Sequence, residues 1–530
     1  MCPSGKASRG SAVSLGLARL FMLAGALCSS AQNSPPAQSA EQARTGQTKV
    51  SSLESSQEKA AAVAKLSAEA NRYLSQDNAQ AASEDYRKAI QLKPRDAKLR
   101  YNLAIALDKV GDLASEHKEL ETAVALDPKL AVAYNQLGVL ALASGQQAEA
   151  EQSFKKALAI DSKFAEAESN LGVLYSQHGK TSEAASLFQQ AEQHDPKYAK
   201  AYVNLGLLLA HQGAFPDAER QFQTAIQVNP NYPEAYSAIG MLQAKSGRGE
   251  DAIKSFQKAV ELEPNSADAH LNLGIALVDN FDRPAGFKEF SEAARLNANL
   301  PAAHYSIGRF FYETGKYEDA RRELETAIQL QNDYPGALYF LALTLKQQNE
   351  TERMTEVLQK LVVLQPDNAN AQYLLGQNLE HAGDRAGAVQ HWKAAVQADP
   401  NHSQALYNLA RSLNRMHDPE AQQYQDRYND LQRKQKIADR VAELGNFALE
   451  AANAQNWPQA MQQMNEAIQL CGSCPEGAHL HRNLGLFYER TGNLEEAEKK
   501  LHSALVLAPN DADTQKALVA LERIRKAQSR

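Results

Sequence analysis

The sequence predicts an all-α chain, a right-handed α-solenoid of about thirteen stacked helix pairs with a capping helix at its end. Three observations carry that expectation. Prolines fall at Pro94, Pro128, Pro196, Pro230, Pro264, Pro366 and Pro400, every gap being 34 residues or a multiple of it. Small residues keep the same beat at Ala70, Ala104, Gly138, Gly172, Gly206, Gly240, Gly274, Gly308, Ala342, Gly376 and Ala410. A third ladder runs Ala89, Ala123, Ala157, Ala191, Ala225, Ala259, Ala293 and Ala327, breaks at Leu361 and resumes at Ala395. Self-similarity at one fixed period marks a stacked array.

Composition agrees. The chain is 43% hydrophobic but only 7% aromatic, and alanine is abundant, which favours packed helices over sheet. A net charge of −7 with both signs interspersed offers no basic face for phosphate, so nucleic acid is not an expected partner.

Taken in order, residues 1–31 read as an export signal. Lys6, Arg9 and Arg19 form a positive leader, the run from Leu20 to Leu27 is a short apolar core, and Ser29, Ser30 and Ala31 supply small residues for cleavage. That core falls short of the roughly 20 residues a membrane span needs, and no later segment reaches it, so no transmembrane span is expected in the mature chain. Cys28 raises a lipoprotein alternative, which Leu27 disfavours because a small residue belongs there. The expected location is periplasmic or secreted, with a cytoplasmic chain as the alternative. Residues 32–60, rich in Ser, Gln, Ala, Pro and Glu, have little to bury and read as a disordered tether.

Residues 61–416 form the N-terminal array. In the unit from Ala165, Leu171, Leu174 and Tyr175 recur at helical spacing and Gly179 ends the first helix. Ala184, Leu187, Phe188 and Ala191 carry the second helix, which Pro196 closes. Gly172 and Ala184 mark the closest approach of the two, with Phe188 and Tyr175 filling the wider gaps. One such pair cannot hide its apolar stripe alone, so neighbours must stack. The unit from Pro335 carries Met354 and Leu361 at tight slots and no glycine at its turn, which predicts splayed helices. Between Pro419 and Ala454 the repeat gives way to one long polar-faced helix, with 417–440 expected as a joint. Residues 441–511 hold a C-terminal pair of units, and 512–530 a cap with Leu518, Leu521 and Ile524 along one side.

The pattern resembles the tetratricopeptide repeat. Its L-G, Y, A, F/Y, A and P slots recur in most units from about Val63 to Asn414, and again through Leu484-Gly485, Tyr488, Gly492, Ala497, Ala504 and Pro509. The resemblance implies a scaffold for other proteins and leaves the partner unnamed.

A helical wheel places the binding surface. The second, sixth, ninth and thirteenth slots of each first helix lie opposite the core, toward the concave side. The sixth reads Asn102, Gln136, Asn170, Asn204, Ala238 and Asn272, then Asn408 and Asn483 further on. The ninth reads Ile105, Val139, Val173, Leu207, Met241 and Ile275. Amides both donate and accept, so such a row can pair with the backbone of an extended peptide whatever its sequence. The row is similar to that in the superhelical substrate-binding arm of the O-linked N-acetylglucosamine transferases, which implies a main-chain grip; no counterpart of their catalytic domain is legible. Two plainer readings stay open: the amides link neighbouring helices, and the ninth-slot aliphatics pack between adjacent first helices. Aliphatics at the ninth slot depart from the repeats that clamp chaperone tails, which want asparagine there.

Cys471-Gly472-Ser473-Cys474 is the one constellation suggesting chemistry. A disulfide across the turn is the expected state in an oxidising compartment, with a redox-active pair as the sharper alternative. His479 and His481 stand two apart on a helix and so point about 200° away from each other, which spoils a shared zinc site. The remaining histidines, His211, His381 and His417 among them, stand in no fixed relation to a nucleophile. Asp279-Asn280-Phe281-Asp282 reads as a polar turn rather than a calcium loop. The expectation is therefore a scaffold that binds extended peptide segments of other proteins, with no catalytic residue, metal, cofactor or small-molecule substrate. A cytosolic adaptor of the same fold and a thiol-disulfide protein are the alternatives.

Overall fold

The computed structural model describes residues 56–528 apart from Ser473. The expected signal, 1–31, lies outside the described residues, as does most of the expected tether. Helix begins at Ser56, inside the last stretch assigned to that tether. Among the described residues every regular element is a helix, so the all-α solenoid stands.

The chain divides into two compact units at Asn332/Asp333. The first pairs its helices in sequence: α1 Ser56–Ser75 with α2 Ala79–Leu92, α3 Ala97–Val110 with α4 Leu113–Leu126, α5 Ala131–Ala143 with α6 Gln147–Ile160, and α7 Ala165–Gln177 with α8 Thr181–His194. It continues with α9 Ala199–His211 and α10 Phe215–Val228, α11 Pro233–Lys245 and α12 Gly249–Leu262, α13 Ala267–Asp279 and α14 Arg283–Leu296, and α15 Pro301–Glu313 and α16 Tyr317–Leu330. The second unit holds α17 Pro335–Gln347, α18 Thr351–Leu364, α19 Ala369–His381, α20 Arg385–Ala398, α21 Ser403–Arg415, α22 Ala421–Asn453, α23 Trp457–Cys471, α24 Gly477–Arg490, α25 Leu494–Leu507 and α26 Ala512–Gln528.

Both kinds of turn follow from local chemistry. Inside a pair the chain reverses through a left-handed residue, and Gly179 takes it with φ +72° at no steric cost. Between pairs an Asp or Asn folds back on the backbone two residues on, as Asp161 Oδ1 accepts from the Lys163 N–H at 3.0 Å.

The glycine ladder has a specific cause. A β-carbon added to Gly172 would stand 2.6 Å from the Phe188 ring, and one on Gly206 would stand 2.5 Å from Phe222. Gly138, Gly240 and Gly274 face Phe154, Phe256 and Phe290 in the same way. The aromatic ring of the second helix rests directly on the first helix rather than in a wider gap beside it. In the pair α3/α4 a leucine, Leu120, occupies the ring's slot and the first helix carries Ala104 instead of glycine.

α22 is the long helix expected from the sequence, and both of its ends are committed. Its first half sets Tyr424, Tyr428 and Leu431 against Leu406, Leu409 and Leu413 of α21. Its second half sets Val441, Leu444, Ala448 and Ala451 against Ala460, Met464 and Ala467 of α23. The stretch 417–440, expected as a joint, is thus half of one hairpin running into half of the next. The small-residue ladder steps 34 from Gly376 to Ala410 but 38 to Ala448. Four extra residues make about one helical turn, which lets two helices fuse without rotating their buried faces apart.

Candidate functional site

The predicted amides sit on the first helices, and the structure shows what they hold. Asn170 Nδ2 donates to Asn135 Oδ1 at 3.0 Å, and Asn204 Nδ2 donates to Ser169 Oγ at 2.9 Å. Each bond joins the sixth slot of one first helix to the fifth slot of the preceding one. Gln136 Nε2 instead reaches Glu116 of α4 at 3.1 Å. Asn170 and Asn204 are buried, and Asn204 keeps 2% of its surface. Asn102 and Asn272 are half-buried in the first unit, as are Asn408 and Asn483 in the second.

The ninth-slot aliphatics divide similarly. Val173, Leu207 and Met241 are buried, Leu207 to 1%, whereas Ile105, Val139 and Ile275 are half-buried. Leu207 packs with Ala238 and Leu242 of α11, and Met241 packs with Leu273 and Ala276 of α13. Across α5 to α13 the first helices therefore pack on one another, through amide bonds at one slot and aliphatic contacts at another. The two plainer readings left open by the sequence describe this stretch.

Charge lines the second slot of the same helices. Lys200 lies between Glu166 and Glu234, and burial holds its ammonium below the usual lysine range. Burial also raises Tyr198, which shares a hydrogen bond with Ser169, and Tyr232. Glu116 stands at a slot that holds Ala150, Ala184, Ala218 and Ala252 in the following pairs. It is 0% exposed, Gln136 bonds one of its oxygens, and the other has no hydrogen-bond partner among the described residues. Burial pushes its carboxyl up to about 7.

At the far end of the chain, Cys471 and Cys474 are joined as a disulfide, their α-carbons 5.1 Å apart. Cys471 closes α23 and is buried in the core there, while Cys474 is partly exposed beside a shallow cavity of about 670 Å³. Gly472 between them takes φ +59°, a conformation few other residues adopt. A thiolate at the negative end of a helix is disfavoured, so the site suits a closed staple better than a redox couple. His479 is exposed and His481 half-buried on α24. No group of three or more metal-binding side chains comes together among the described residues.

The helical wheel passed over the fifth slot. Tyr339, Tyr373 and Tyr407 fill it in three consecutive first helices of the second unit; the first unit has Tyr101, Leu271 and Tyr305 there at its ends, and Asn135, Ser169, Val203 and Ser237 between. It also passed over Phe281, which is 88% exposed and adopts φ +68° at a turn where neighbouring pairs use glycine.

Sequence models described as tetratricopeptide repeat or TPR repeat match 70–111, 119–152, 175–242, 244–280, 308–349, 341–403, 373–422 and 446–512, well over half of the chain together. No curated protein matches it. A solved structure described as the functional characterization of Pseudomonas aeruginosa pilF is 20% identical with a TM-score of 0.38, covering 40% of this chain and 97% of that one. Another, YrrB, described as a TPR protein with an unusual peptide-binding site, is 22% identical with a TM-score of 0.29, covering 36% of this chain and 97% of that one. Likenesses this partial bear on neither site nor partner.

Proposed function

Since the chain belongs to the tetratricopeptide-repeat family, we propose that it is a non-catalytic scaffold that holds extended segments of partner proteins along its first helices. The observation that carries this reading is the uneven fate of the predicted row. Asn102, Asn272 and Asn483 keep surface to offer a guest chain, as does Asn408 beside its bond to the Tyr373 hydroxyl, whereas Asn170 and Asn204 are sunk and engaged. Half-free amides beside half-free aliphatics such as Ile105 and Ile275 suit backbone pairing with shallow apolar contacts. The grip is therefore assigned to the ends of the row and not to its middle.

A photoreactive residue placed singly at 102, 272, 408 and 483 in living cells should trap partner proteins, and one at 170 should trap none. Equal trapping at every position, or none anywhere, overturns the assignment. Export to the cell envelope belongs to the same proposal, supported by the leader pattern and by the Cys471–Cys474 disulfide. N-terminal sequencing of the chain from fractionated cells tests it: an intact Met1 in the cytosolic fraction would refute export. Among the described residues no helix is long and apolar enough to cross a membrane.

A further inference from the structure

We infer that the inner face of α17, α19 and α21 is a docking surface for an extended acidic segment of a partner protein, a conclusion that rests on the scaffold reading above and names its partner chemistry. Three tyrosines at one slot of consecutive first helices form a row, and side-chain bonds show that the row lies on one continuous face. Lys346 Nζ of α17 donates to Gln377 Oε1 of α19 at 2.6 Å, and Gln377 lies 3.5 Å from the Tyr373 hydroxyl. Asn408 of α21 shares a hydrogen bond with that same hydroxyl. On the neighbouring rim Arg415 of α21 reaches Glu380 of α19 at 3.6 Å.

The face is open and its charge has a sign. Tyr407 is 44% exposed, with Tyr428 of α22 flanking it at 5.4 Å between ring centres. Arg411, one turn further along α21, is exposed and makes no hydrogen bond or ion pair among the described residues. Lys346 and Arg411 stand on this face, and at its rim Glu380 is matched by both Arg415 and Arg385. A chain of net charge −7 has thus gathered cations on one aromatic wall. Tyrosine gives broad, rigid contact at small entropic cost, and complementary charge sets which segments approach. Carboxylates would meet Arg411 and Lys346 while the backbone and small side chains lie across the rings.

The test uses the full chain and two fluorescent peptides of about twelve residues, one alternating Glu with Pro and the other Lys with Pro, either of which spans roughly 40 Å when extended. Anisotropy should show saturable binding of the Glu peptide alone, weakening as salt rises from about 50 mM to about 500 mM. Arg411→Glu and Tyr407→Ala should each weaken it by about tenfold, while Tyr407→Phe stays within about twofold. Both positions are exposed, so circular dichroism should show unchanged melting. Binding of both peptides alike, binding of neither, or indifference to Arg411→Glu overturns the inference. Photocrosslinking of partners that survives such a result would leave the scaffold reading intact and remove only the acidic segment.

Discussion

Across 131–279 the first helices of the first unit lock together, whereas across 335–415 in the second they carry a tyrosine row, half-buried at Tyr339 and Tyr373 and exposed at Tyr407. The difference lies in one slot. Asn135, Ser169, Val203 and Ser237 are small enough for the next first helix to close on them, and Asn170, Asn204 and Ala238 follow 35 residues later in kind. At that slot Tyr373 is still met by Asn408 through its hydroxyl, but its ring stays half-buried, and Tyr407 is 44% exposed. In these stretches the side chain at that position thus bears on how much of a first helix's inner face its neighbour covers.

The strongest way to break the comparison is to attack the close packing of the locked stretch. Gly206→Ala would place a β-carbon 2.5 Å from the Phe222 ring, and should cost about 3 kcal/mol by overpacking. Adding Phe222→Leu should restore most of it. Ala410→Gly in the second unit should cost only about 1 kcal/mol, a matter of helix propensity. Thermal melts of the three variants decide; equal losses for Gly206→Ala and Ala410→Gly would erase the distinction.

Acidity should separate the two units with opposite signs. An unfolded glutamate sheds its proton near 4.5, while buried Glu116 holds its own to about 7, so folding takes up a proton between those values. The first unit therefore loses stability as pH rises from about 4.5 to 7, on the order of 2 kcal/mol after allowance for partial solvation. In the second unit burial lowers His391, His402 and His481 below the ordinary value of 6.5, so stability there is lost as pH falls beneath it. Both tryptophans, Trp392 and Trp457, belong to the second unit, so their fluorescence follows it alone while far-ultraviolet dichroism follows both. Glu116→Gln should make the first slope shallower, the rest belonging to Glu192, which burial also raises to about 7; parallel slopes in both units would show that the assignment is wrong.

Removing the amide lock should cost less. Asn204→Ala forfeits a buried bond to Ser169 and should lose about 1 kcal/mol, with a double-mutant cycle against Ser169→Ala returning most of it as coupling. Half-buried Asn408→Ala in the second unit should lose clearly less. The smallest change has the opposite direction. Phe281→Gly relieves a left-handed backbone that no packing of the 88% exposed ring repays, and should raise stability by at most about 1 kcal/mol. A lower melting temperature for that variant would mean the ring is held by contacts in the fold.

Much of the architecture was legible because period and turn chemistry are written in residues such as Pro196 and Gly179. The sense of the asparagine row was not, since a helical wheel treats each helix as if it stood alone. Yet a signal existed. Asn170 and Asn204 stand 35 residues after polar partners, Asn135 and Ser169, and the first gap in the row, Ala238, stands 35 after apolar Val203. Matching the sixth slot against the preceding fifth would have revealed the pairing. Glu116 was invisible for another reason: its alanine-sized slot is defined by the depth of the fold, which periodicity alone does not grade.

The 33 residues of α22 bear on how the second unit comes apart. Stacked hairpins ordinarily fray one at a time, because each short turn is a cheap place for order to end. Between α21 and α23 no such place exists, and melting either flank exposes apolar residues on the same rod. Native-state hydrogen exchange should then find the amides of Ser403–Arg415 and Trp457–Cys471 opening together, two repeats bound into a single cooperative block.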